Sequence, residues 1–367
     1  MTRVGVIGGS GAVGSALLAR LAGTGAHLTA AVRDPARLPA PPPGTDVRAV
    51  DAEDPAGLAE FCASCDVVVN CAGPSALLGD RVLRAAASAG AHYVSVGDDG
   101  CDHRSPAGPD APAAAPGRSA LLGAGLLPGL STLLPRVLAR DFDRVSAMVV
   151  HSGGLERFTP AAARDYVAGL AAGADRSLAA WRGGRRVAGA LRPRADARLP
   201  FLPRPVSLHP FLSPEAERLA RTLSLESLEW WHAFEGTRTT DALAGTRGRG
   251  VTDPDALAEV LVRASGLEVF GRTQYQALVL RARGRIDGRE RGRILALTGA
   301  GPALSAGAAA LAVRSVTGGG VAAGTHWAGE VLPTAGVLDA LRDSPGVAFL
   351  RVADDDDAHS GVEEGVL

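Results

Sequence analysis

One glycine-rich stretch near the start of the chain constrains its fold more than any other feature. An apolar run at 3–7 is followed at once by Gly8-Gly9-Ser10-Gly11-Ala12-Val13-Gly14, and a helical pattern begins at Ser15. A strand, a glycine turn and a helix in this order open a dinucleotide-binding unit. The first glycine permits a tight turn, Gly11 lets the backbone approach a pyrophosphate, and Gly14 lets helix and strand pack closely. The stretch therefore predicts a Rossmann domain.

The pattern that follows is typical of a doubly wound α/β domain. Short apolar runs alternate with helical segments, and the run 67–69 is apolar throughout, as expected of a strand covered on both faces. The predicted strands are 3–7, 27–32, 46–50, 67–70, 92–96 and 119–122, with helices over 15–21, 56–62 and 78–88. These elements predict a parallel sheet.

The second half of the chain has an α+β pattern. Thr159-Pro160 provides an N-cap and first residue for a helix that we expect to reach Trp181. Strand-like runs at 276–283 and 292–297 are joined by a turn at Asp287-Gly288, which predicts an antiparallel hairpin. The predicted parts are a Rossmann domain (1–128), an α+β substrate and oligomerisation domain containing an antiparallel sheet (129–327), a return segment packing on the Rossmann domain (328–352) and a disordered acidic tail (353–367).

Composition excludes several classes of function. The 367 residues suit two domains, 46% of them are hydrophobic, and the net charge of −1 gives no reason to expect a nucleic-acid partner. The chain contains no lysine, which excludes a lysine Schiff base or lysine general base. We expect a cytoplasmic protein without a membrane anchor, since there is neither a long apolar stretch nor a signal-like start. Cys62-x-x-Cys65 has no second Cys/His pair, so packing is favoured and no metal is predicted.

The end of the second strand indicates which nicotinamide cofactor is bound. NAD enzymes place a carboxylate there for the ribose 2′-OH, whereas this chain has Arg33 and then Arg37, which suit the 2′-phosphate of NADPH. Asp34 is the one neighbouring carboxylate, and Asp51 either meets the adenine or caps its own loop. The predicted cofactor-binding residues are Gly8, Ser10, Gly11, Ala12, Val13, Gly14, Arg33, Asp51, Asn70, Ala72, Gly73 and Pro74.

Several further stretches resemble the saccharopine dehydrogenase-like NADP-dependent reductases. The stretches are Val67-Val68-Val69-Asn70-Cys71-Ala72-Gly73-Pro74, Leu78-Gly79, Ala89-Gly90-Ala91-His92-Tyr93-Val94 and Gly123-Ala124-Gly125-Leu126-Leu127-Pro128-Gly129-Leu130. The resemblance is dense over 4–135 and faint later, and it implies reduction or regeneration of an imine that joins an amine to a carbonyl. Where that family often has Asp-x-x-Gly-Glu, this chain has Ser95-Val96-Gly97-Asp98-Asp99, so the family's amino-acid substrate is not carried over.

Four side chains are candidates for the chemistry. Asp99 follows the fifth strand and could hold an iminium or donate a proton, with a solvated-loop or helix-cap role as the favoured alternative. His151 ends a strand beside two glycines, and His232 and Glu235 belong to the aromatic run that begins at Trp230, which is either a substrate wall or core. If these groups act together, they line one cleft facing the nicotinamide.

The expected function is an NADPH-dependent reductase acting on a C=N bond of a small metabolite, with C=C and C=O bonds as lesser options. Specialised biosynthesis is the expected setting, and a homodimer is the expected assembly. Two alternatives remain open: an amine-condensing synthase of the polyamine or opine type, and a non-catalytic protein that senses NADP.

Overall fold

The computed structural model of the chain describes residues 1–38, 40–101, 112–244 and 253–355. They form two compact units. Unit 1 comprises Met1–Leu133 and Gly301–Gly346, and unit 2 comprises Leu134–Ala300 and the segment that starts at Val347. Among the described residues, no helix combines the length and apolarity needed to cross a lipid bilayer.

The elements are numbered along the chain. The strands are β1 (Arg3–Ile7), β2 (His27–Val32), β3 (Asp46–Ala49), β4 (Val67–Asn70), β5 (His92–Ser95), β6 (Ser119–Leu122), β7 (Arg144–Leu155), β8 (Ala180–Arg182), β9 (Arg185–Val187), β10 (Arg194–Ala197), β11 (Val206–Pro210), β12 (Ser227–Phe234), β13 (Tyr275–Ile286), β14 (Arg289–Gly299), β15 (Gly324–Trp327) and β16 (Val347–Asp354). The helices are α1 (Ala12–Leu21), α2 (Pro55–Ala63), α3 (Ser75–Leu78), α4 (Arg81–Ser88), α5 (Leu130–Ala139), α6 (Pro160–Ala172), α7 (Pro214–Thr222), α8 (Arg238–Ala244), α9 (Pro254–Glu268), α10 (Gly301–Thr317), α11 (Ala328–Val331) and α12 (Val337–Arg342), with short 3-10 helices at Pro35–Arg37 and Ala174–Arg176.

Unit 1 is built on a seven-stranded parallel sheet in the order β15-β6-β5-β4-β1-β2-β3. The chain runs outward from β1 through β2 to β3, and then continues on the other side of β1 with β4, β5 and β6. The strand order therefore reverses between β1 and β4. In sheets of this kind ligands bind outside the carboxyl ends of the strands at such a point.

A single apolar cluster packs α2 and α4 against one face of this sheet. Phe61 and Leu83 from the helices meet Val68 from β4 in this cluster. Gly5 leaves room for α2, because a Cβ there would lie 2.6 Å from the Phe61 ring and 2.5 Å from the Cys65 sulfur. Cys62 is also buried in the cluster, and burial raises the pKa of its thiol to about 12. Both cysteines of the Cys-x-x-Cys pair are thus core residues.

Unit 2 contains a mixed sheet in the order β10-β11-β12-β7-β13-β14-β16, and β8 joins β12 to β9. Only β7 and β12 run parallel, while the other neighbours are antiparallel. The predicted hairpin is β13–β14, turned by Asp287 and Gly288 with φ of +50° and +72°. Two positive φ angles suit the twist of a tight hairpin. The predicted class, a doubly wound parallel sheet with a second α+β domain, is confirmed.

The structure divides the chain differently from the predicted boundaries. The segment Gly301–Gly346 belongs to unit 1, because α10 packs on α1 and β15 extends the parallel sheet beyond β6. The strand β16 belongs instead to unit 2, where it pairs with β14 and Phe349 stacks on Phe201 at 5.3 Å between ring centres. Most of the predicted tail, residues 356–367, lies outside the described residues.

One predicted helix is also too long. We expected it to continue from Thr159 to Trp181, but α6 ends at Ala172 and Trp181 lies in β8. Its C-cap is Gly173, whose N–H donates to the Leu170 carbonyl at 3.3 Å. Trp181 then pairs with Leu228 across the sheet, and its indole N–H donates to the Leu225 carbonyl at 3.0 Å.

Candidate functional site

The glycine turn between β1 and α1 has the geometry that a pyrophosphate requires. Gly8 has a φ of +78°, and the N–H groups of Gly8 and Gly9 donate to the Ala31 carbonyl at 3.0 and 3.2 Å. A Cβ on Gly14 would lie 2.3 Å from the Gly8 carbonyl oxygen, so a side chain there would push the helix from the strand. No side chain caps α1, whose N-cap is Gly11. The first-turn N–H groups therefore have no intrahelical acceptor and suit an anion.

Exposure along this turn follows the predicted contacts. Ser10, Gly11 and Ala12 are exposed, Val13 is half-buried, and Gly14 is buried beneath the turn. The start of α1 is thus open to a ligand, and the residues present fit the pyrophosphate of a dinucleotide.

Two charged residues follow β2, an exposed arginine and an aspartate that is hydrogen-bonded within its own turn. Arg33 is exposed directly after the strand. The Asp34 carboxylate instead accepts the Ala36 N–H at 3.0 Å and caps the short 3-10 helix that follows. Asp51 is exposed and accepts the Glu53 N–H at 2.9 Å, so it caps its own loop through one oxygen and leaves the other exposed. Directly after β2 there is therefore an exposed guanidinium, that of Arg33, followed by a carboxylate hydrogen-bonded within its own turn.

The turn after β4 is held directly against the glycine turn. A Cβ on Gly8 would lie 2.8 Å from the Ala72 nitrogen, so the two turns are in van der Waals contact. The Asn70 amide oxygen accepts the Ala72 N–H at 3.0 Å and fixes the start of this turn, which continues through Gly73 and Pro74. Of the four predicted residues, Ala72 therefore lies against the glycine turn and Asn70 fixes its backbone, while Gly73 and Pro74 follow in the same turn.

Asp99 lies beneath the same turn, in a buried hydrogen-bond cluster. Its Oδ2 accepts the Tyr93 hydroxyl at 2.7 Å, and its Oδ1 accepts the Ser95 hydroxyl at 2.7 Å and the Asn70 Nδ2 at 3.2 Å. Burial raises the pKa of the Asp99 carboxyl from 3.8 to about 6, although the hydrogen bonds from Ser95 and Tyr93 lower it. Nearby Asp98 raises this pKa further. Asp99 is thus the acceptor that three buried donors share.

The two predicted histidines lie on opposite faces of the unit 2 sheet. His151 pairs in register with Trp231, and Ser152 pairs with His232. Because successive side chains of a strand point to opposite faces, His151 and His232 point away from each other. The expectation that both line one cleft is wrong. Side chains of paired residues on β7 and β12 point to the same face, so His151 lies on the face of Trp231 and His232 lies on the face of Ser152.

Both histidines are neutral at ordinary pH. Burial and the nearby guanidinium groups of Arg281 and Arg194 lower the pKa of His151 to about 4. Burial lowers the pKa of His232 to about 4 as well, where its ring lies 6.0 Å from Tyr166 and 5.7 Å from Phe211 between ring centres. Neither imidazole is therefore a ready source of a proton near neutrality.

Glu235 lies about 13 Å along the sheet from His151, because it follows the partner of His151 by four residues. Its carboxylate is buried and accepts the Tyr275 hydroxyl at 2.6 Å and a guanidinium N–H of Arg272. The Arg204 guanidinium lies 4.0 Å away. The two tryptophans of the aromatic run, Trp230 and Trp231, are both buried and belong to the core.

A small cavity of about 50 Å³ lies at the carboxyl ends of the parallel pair β7 and β12. Its polar and aromatic lining is Glu156, Phe158, Phe234, Glu235, Thr239, Glu268 and Gln276. Glu235 is the one predicted catalytic residue of unit 2 that lines it. In the part of the chain that the structure describes, no group of three or more His, Cys, Asp or Glu residues is placed to hold a metal ion.

Two polar residues of the Asp99 cluster were not predicted from the sequence. Tyr93 and Ser95 alternate within β5, and both are buried. Polar groups inside a strand covered on both faces need hydrogen-bond partners. Their need for partners indicates that a polar group lies beside β5. The nearest acceptors along the chain are the carboxylates of Asp98 and Asp99.

Comparisons with known proteins agree with this geometry. Residues 8–118 match the profile of an NAD(P)H-binding family, while no protein of curated function matches the sequence. Apo saccharopine dehydrogenase (L-Glu forming) from Saccharomyces cerevisiae superposes with a TM-score of 0.67 at 16% identity, covering 96% of this chain and 100% of that chain.

Other solved structures match a smaller part of the chain. A Rossmann-fold NAD(P)-binding family protein from Shigella flexneri has a TM-score of 0.24 at 20% identity, covering 26% of this chain and 50% of that chain. A putative epimerase from Bacteroides thetaiotaomicron has a TM-score of 0.25 at 27% identity, covering 26% and 47% of the two chains. The chain therefore has the fold of saccharopine dehydrogenase, with an NAD(P)H-binding region at residues 8–118.

Proposed function

We propose that this chain is an NADPH-dependent oxidoreductase that reduces a C=N or related double bond of a small metabolite. The nicotinamide supplies the hydride, and the protein supplies binding, orientation and exclusion of water. A homodimer in the cytoplasm, acting in specialised biosynthesis, is the form and setting that we propose for it.

One observation carries the cofactor half of this proposal. The exposed Arg33 follows β2, whereas the only adjacent carboxylate, that of Asp34, is tied to the N–H of Ala36. A guanidinium binds a phosphate through charge-assisted hydrogen bonds, and a free carboxylate at this place would repel it. The uncapped start of α1 supports the binding of the pyrophosphate beside it.

The substrate half rests on fewer contacts. We propose that the cavity lined by Glu235 takes part in substrate binding, and that its excess of carboxylates suits an amine. Three carboxylates line it, those of Glu156, Glu235 and Glu268, and two guanidinium groups, those of Arg272 and Arg204, lie near Glu235. Tyr275 donates to Glu235 and orients its carboxylate. Neither His151 nor His232 lines this cavity, so neither is given a role in it.

NADPH should bind at least about tenfold more tightly than NADH, a difference of about 1.4 kcal/mol in binding free energy. Arg33→Ala should remove most of this preference by weakening NADPH binding, with little change for NADH, because only NADPH carries the 2′-phosphate. Titration of the intrinsic fluorescence of each reduced nucleotide measures both affinities.

The matched control for this change is Arg314→Ala. Arg314 is an exposed arginine of unit 1 on α10, near Arg20 in the last turn of α1 and so at the opposite end of that helix from the glycine turn. Arg314→Ala removes the same charge and should leave the preference for NADPH over NADH unchanged. Equal affinities for NADPH and NADH in the unmutated protein would overturn the NADPH assignment.

A protein that only senses NADP makes a different prediction. It should bind NADPH and NADP⁺ with clearly different affinities and should not consume NADPH when offered pairs of amines and carbonyl compounds. Loss of NADPH absorbance with any such pair supports the reductase. Formation of a stable secondary amine from two substrates identifies the amine-condensing synthase within the same class.

A further inference from the structure

The Asp99 carboxylate is fully engaged within unit 1. It is only 3% exposed, and the donors on its two oxygens come from Tyr93, Ser95 and Asn70. A carboxylate in this arrangement has no free oxygen to offer to a ligand. Any effect of Asp99 on a bound ligand must therefore act through a residue to which it is hydrogen-bonded.

Asn70 is the partner that reaches the site. Its amide is oriented from both ends, because Nδ2 donates to Asp99 and Oδ1 accepts the Ala72 N–H. Ala72 in turn lies against Gly8 of the glycine turn. A continuous set of contacts thus joins Asp99 to the backbone that borders the pyrophosphate position.

The register of the sheet explains why the cluster forms. Asn70 of β4 pairs with Ser95 of β5, and Val68 pairs with Tyr93. The polar side chains of Asn70, Ser95 and Tyr93 therefore share one face at the carboxyl end of the sheet. Asp99 has a φ of +53°, a left-handed conformation that turns the loop after β5 back over this face.

We propose that Asp99 is a positioning residue, which acts through the Asn70 amide to hold the turn 71–74 in the shape that receives the nicotinamide half of the cofactor. This role rests on the proposed function and replaces the role of proton donor for Asp99. The carboxylate serves as a shared acceptor, and its partner Asn70 determines where the Ala72 backbone lies.

The test compares two ligands that share the adenosine half. Asp99→Ala should weaken NADPH binding by about tenfold, or about 1.4 kcal/mol, because the turn loses its support. The affinity for adenosine 2′,5′-bisphosphate, which lacks the nicotinamide half, should not change. A variant whose whole unit is loosened would lose affinity for both ligands, and that result would overturn the proposal.

The conservative variant separates positioning from proton transfer. In Asp99→Asn the amide oxygen can still accept from Ser95 and Asn70, and the amide N–H can donate to the Tyr93 oxygen. NADPH affinity should stay within about threefold of the unmutated protein. A tenfold loss in Asp99→Asn equal to that in Asp99→Ala would show that the charge itself is needed.

Action through Asn70 is tested by a double-mutant cycle. Asn70→Ala alone should weaken NADPH binding, and adding Asp99→Ala to it should cause no further loss. Additive losses would mean that the two residues act independently. If Asp99→Ala does not fold, Tyr93→Phe, which removes one donor and keeps Asp99, should leave NADPH affinity nearly unchanged because Asn70 keeps its acceptor.

The matched control is Asp66→Ala. Asp66 precedes β4 at the opposite end of the strand, where it pairs with Arg3 at 2.8 Å. Asp66→Ala should leave the affinities for NADPH and for adenosine 2′,5′-bisphosphate unchanged. If the unmutated protein binds neither ligand, both the proposed function and this role of Asp99 are wrong. If Asp99→Ala binds NADPH normally, only the positioning role is wrong.

Discussion

Replacing Gly11 with valine should abolish nucleotide binding by unit 1 while the protein stays folded. A Cβ on Gly11 would meet only the Gly8 carbonyl oxygen, at 3.2 Å, so the chain admits a side chain there if this backbone shifts by a few tenths of an ångström. Gly11 has a φ of −73° and a ψ of 163°, which valine also adopts. The branched side chain would instead cover the first-turn N–H groups of α1. Affinity for NADPH should fall by at least about 100-fold, or about 2.7 kcal/mol.

Gly169→Val is the matched control for this variant. Gly169 lies on α6 in unit 2, where it is exposed and a Cβ would meet nothing within 4 Å. It carries the same change of side chain at a distance from the proposed site, and its NADPH affinity should be normal. Circular dichroism should show both variants folded. A Gly11→Val protein that titrates normally with NADPH would move the cofactor away from this turn.

The glycine motif and the parallel sheet could be predicted because each depends on local chemistry. Gly8 and Gly14 are set by a positive φ and by close packing, and both conditions leave only glycine. The strands of unit 1 are short apolar runs with a helix or a turn between them. The hairpin at Asp287-Gly288 followed from turn chemistry in the same way.

The domain division could not be predicted, because it depends on contacts far apart in the chain. The helix α10 has small residues on all sides, so its sequence does not indicate whether it packs within the second half or against α1. The strand β16 pairs with β14 at its edge, and only three-dimensional pairing decides which sheet receives it. Long-range pairing also put Trp181 into a strand.

Residues of the candidate site could be predicted where the order of the strands places them, but not where the register between distant strands decides their position. Asn70 ends β4 and Asp99 follows β5 at the same edge of the sheet, and topology alone brings such residues together. His151 and His232 were grouped by residue type, although the alternation of β7 and β12 separates them. The register between two strands that are 80 residues apart cannot be read from one sequence.

The Asp99→Asn variant should be more stable than the unmutated protein at neutral pH. Burial raises the pKa of Asp99 from 3.8 to about 6, so the folded protein holds a proton there more tightly than the unfolded chain does. Stability must then fall as pH rises through this range, because unfolding releases the proton. At about 1.4 kcal/mol per pKa unit, the ionised carboxylate costs on the order of 3 kcal/mol at pH 7.

The asparagine variant removes this cost and keeps the shape of the side chain. Its gain in the free energy of unfolding should be largest above about pH 7, where Asp99 is ionised in both states, and should vanish below about pH 3, where Asp99 is protonated in both states. Asp98 is the neighbouring charge that adds to the cost, and Tyr93 stays neutral throughout because burial raises its pKa. Urea unfolding at several pH values measures the difference between the two proteins.

Asp66→Asn should show the opposite dependence. Hydrogen bonds from Arg3 lower the pKa of Asp66 to about 2, so this carboxylate contributes stability above its unfolded pKa and loses it as pH falls toward about 2. Its asparagine variant should therefore be the less stable protein at neutral pH. If Asp99→Asn also proved less stable there, the hydrogen bonds from Tyr93, Ser95 and Asn70 would outweigh desolvation. Asp99 would then be a carboxylate that stabilises the fold as an anion.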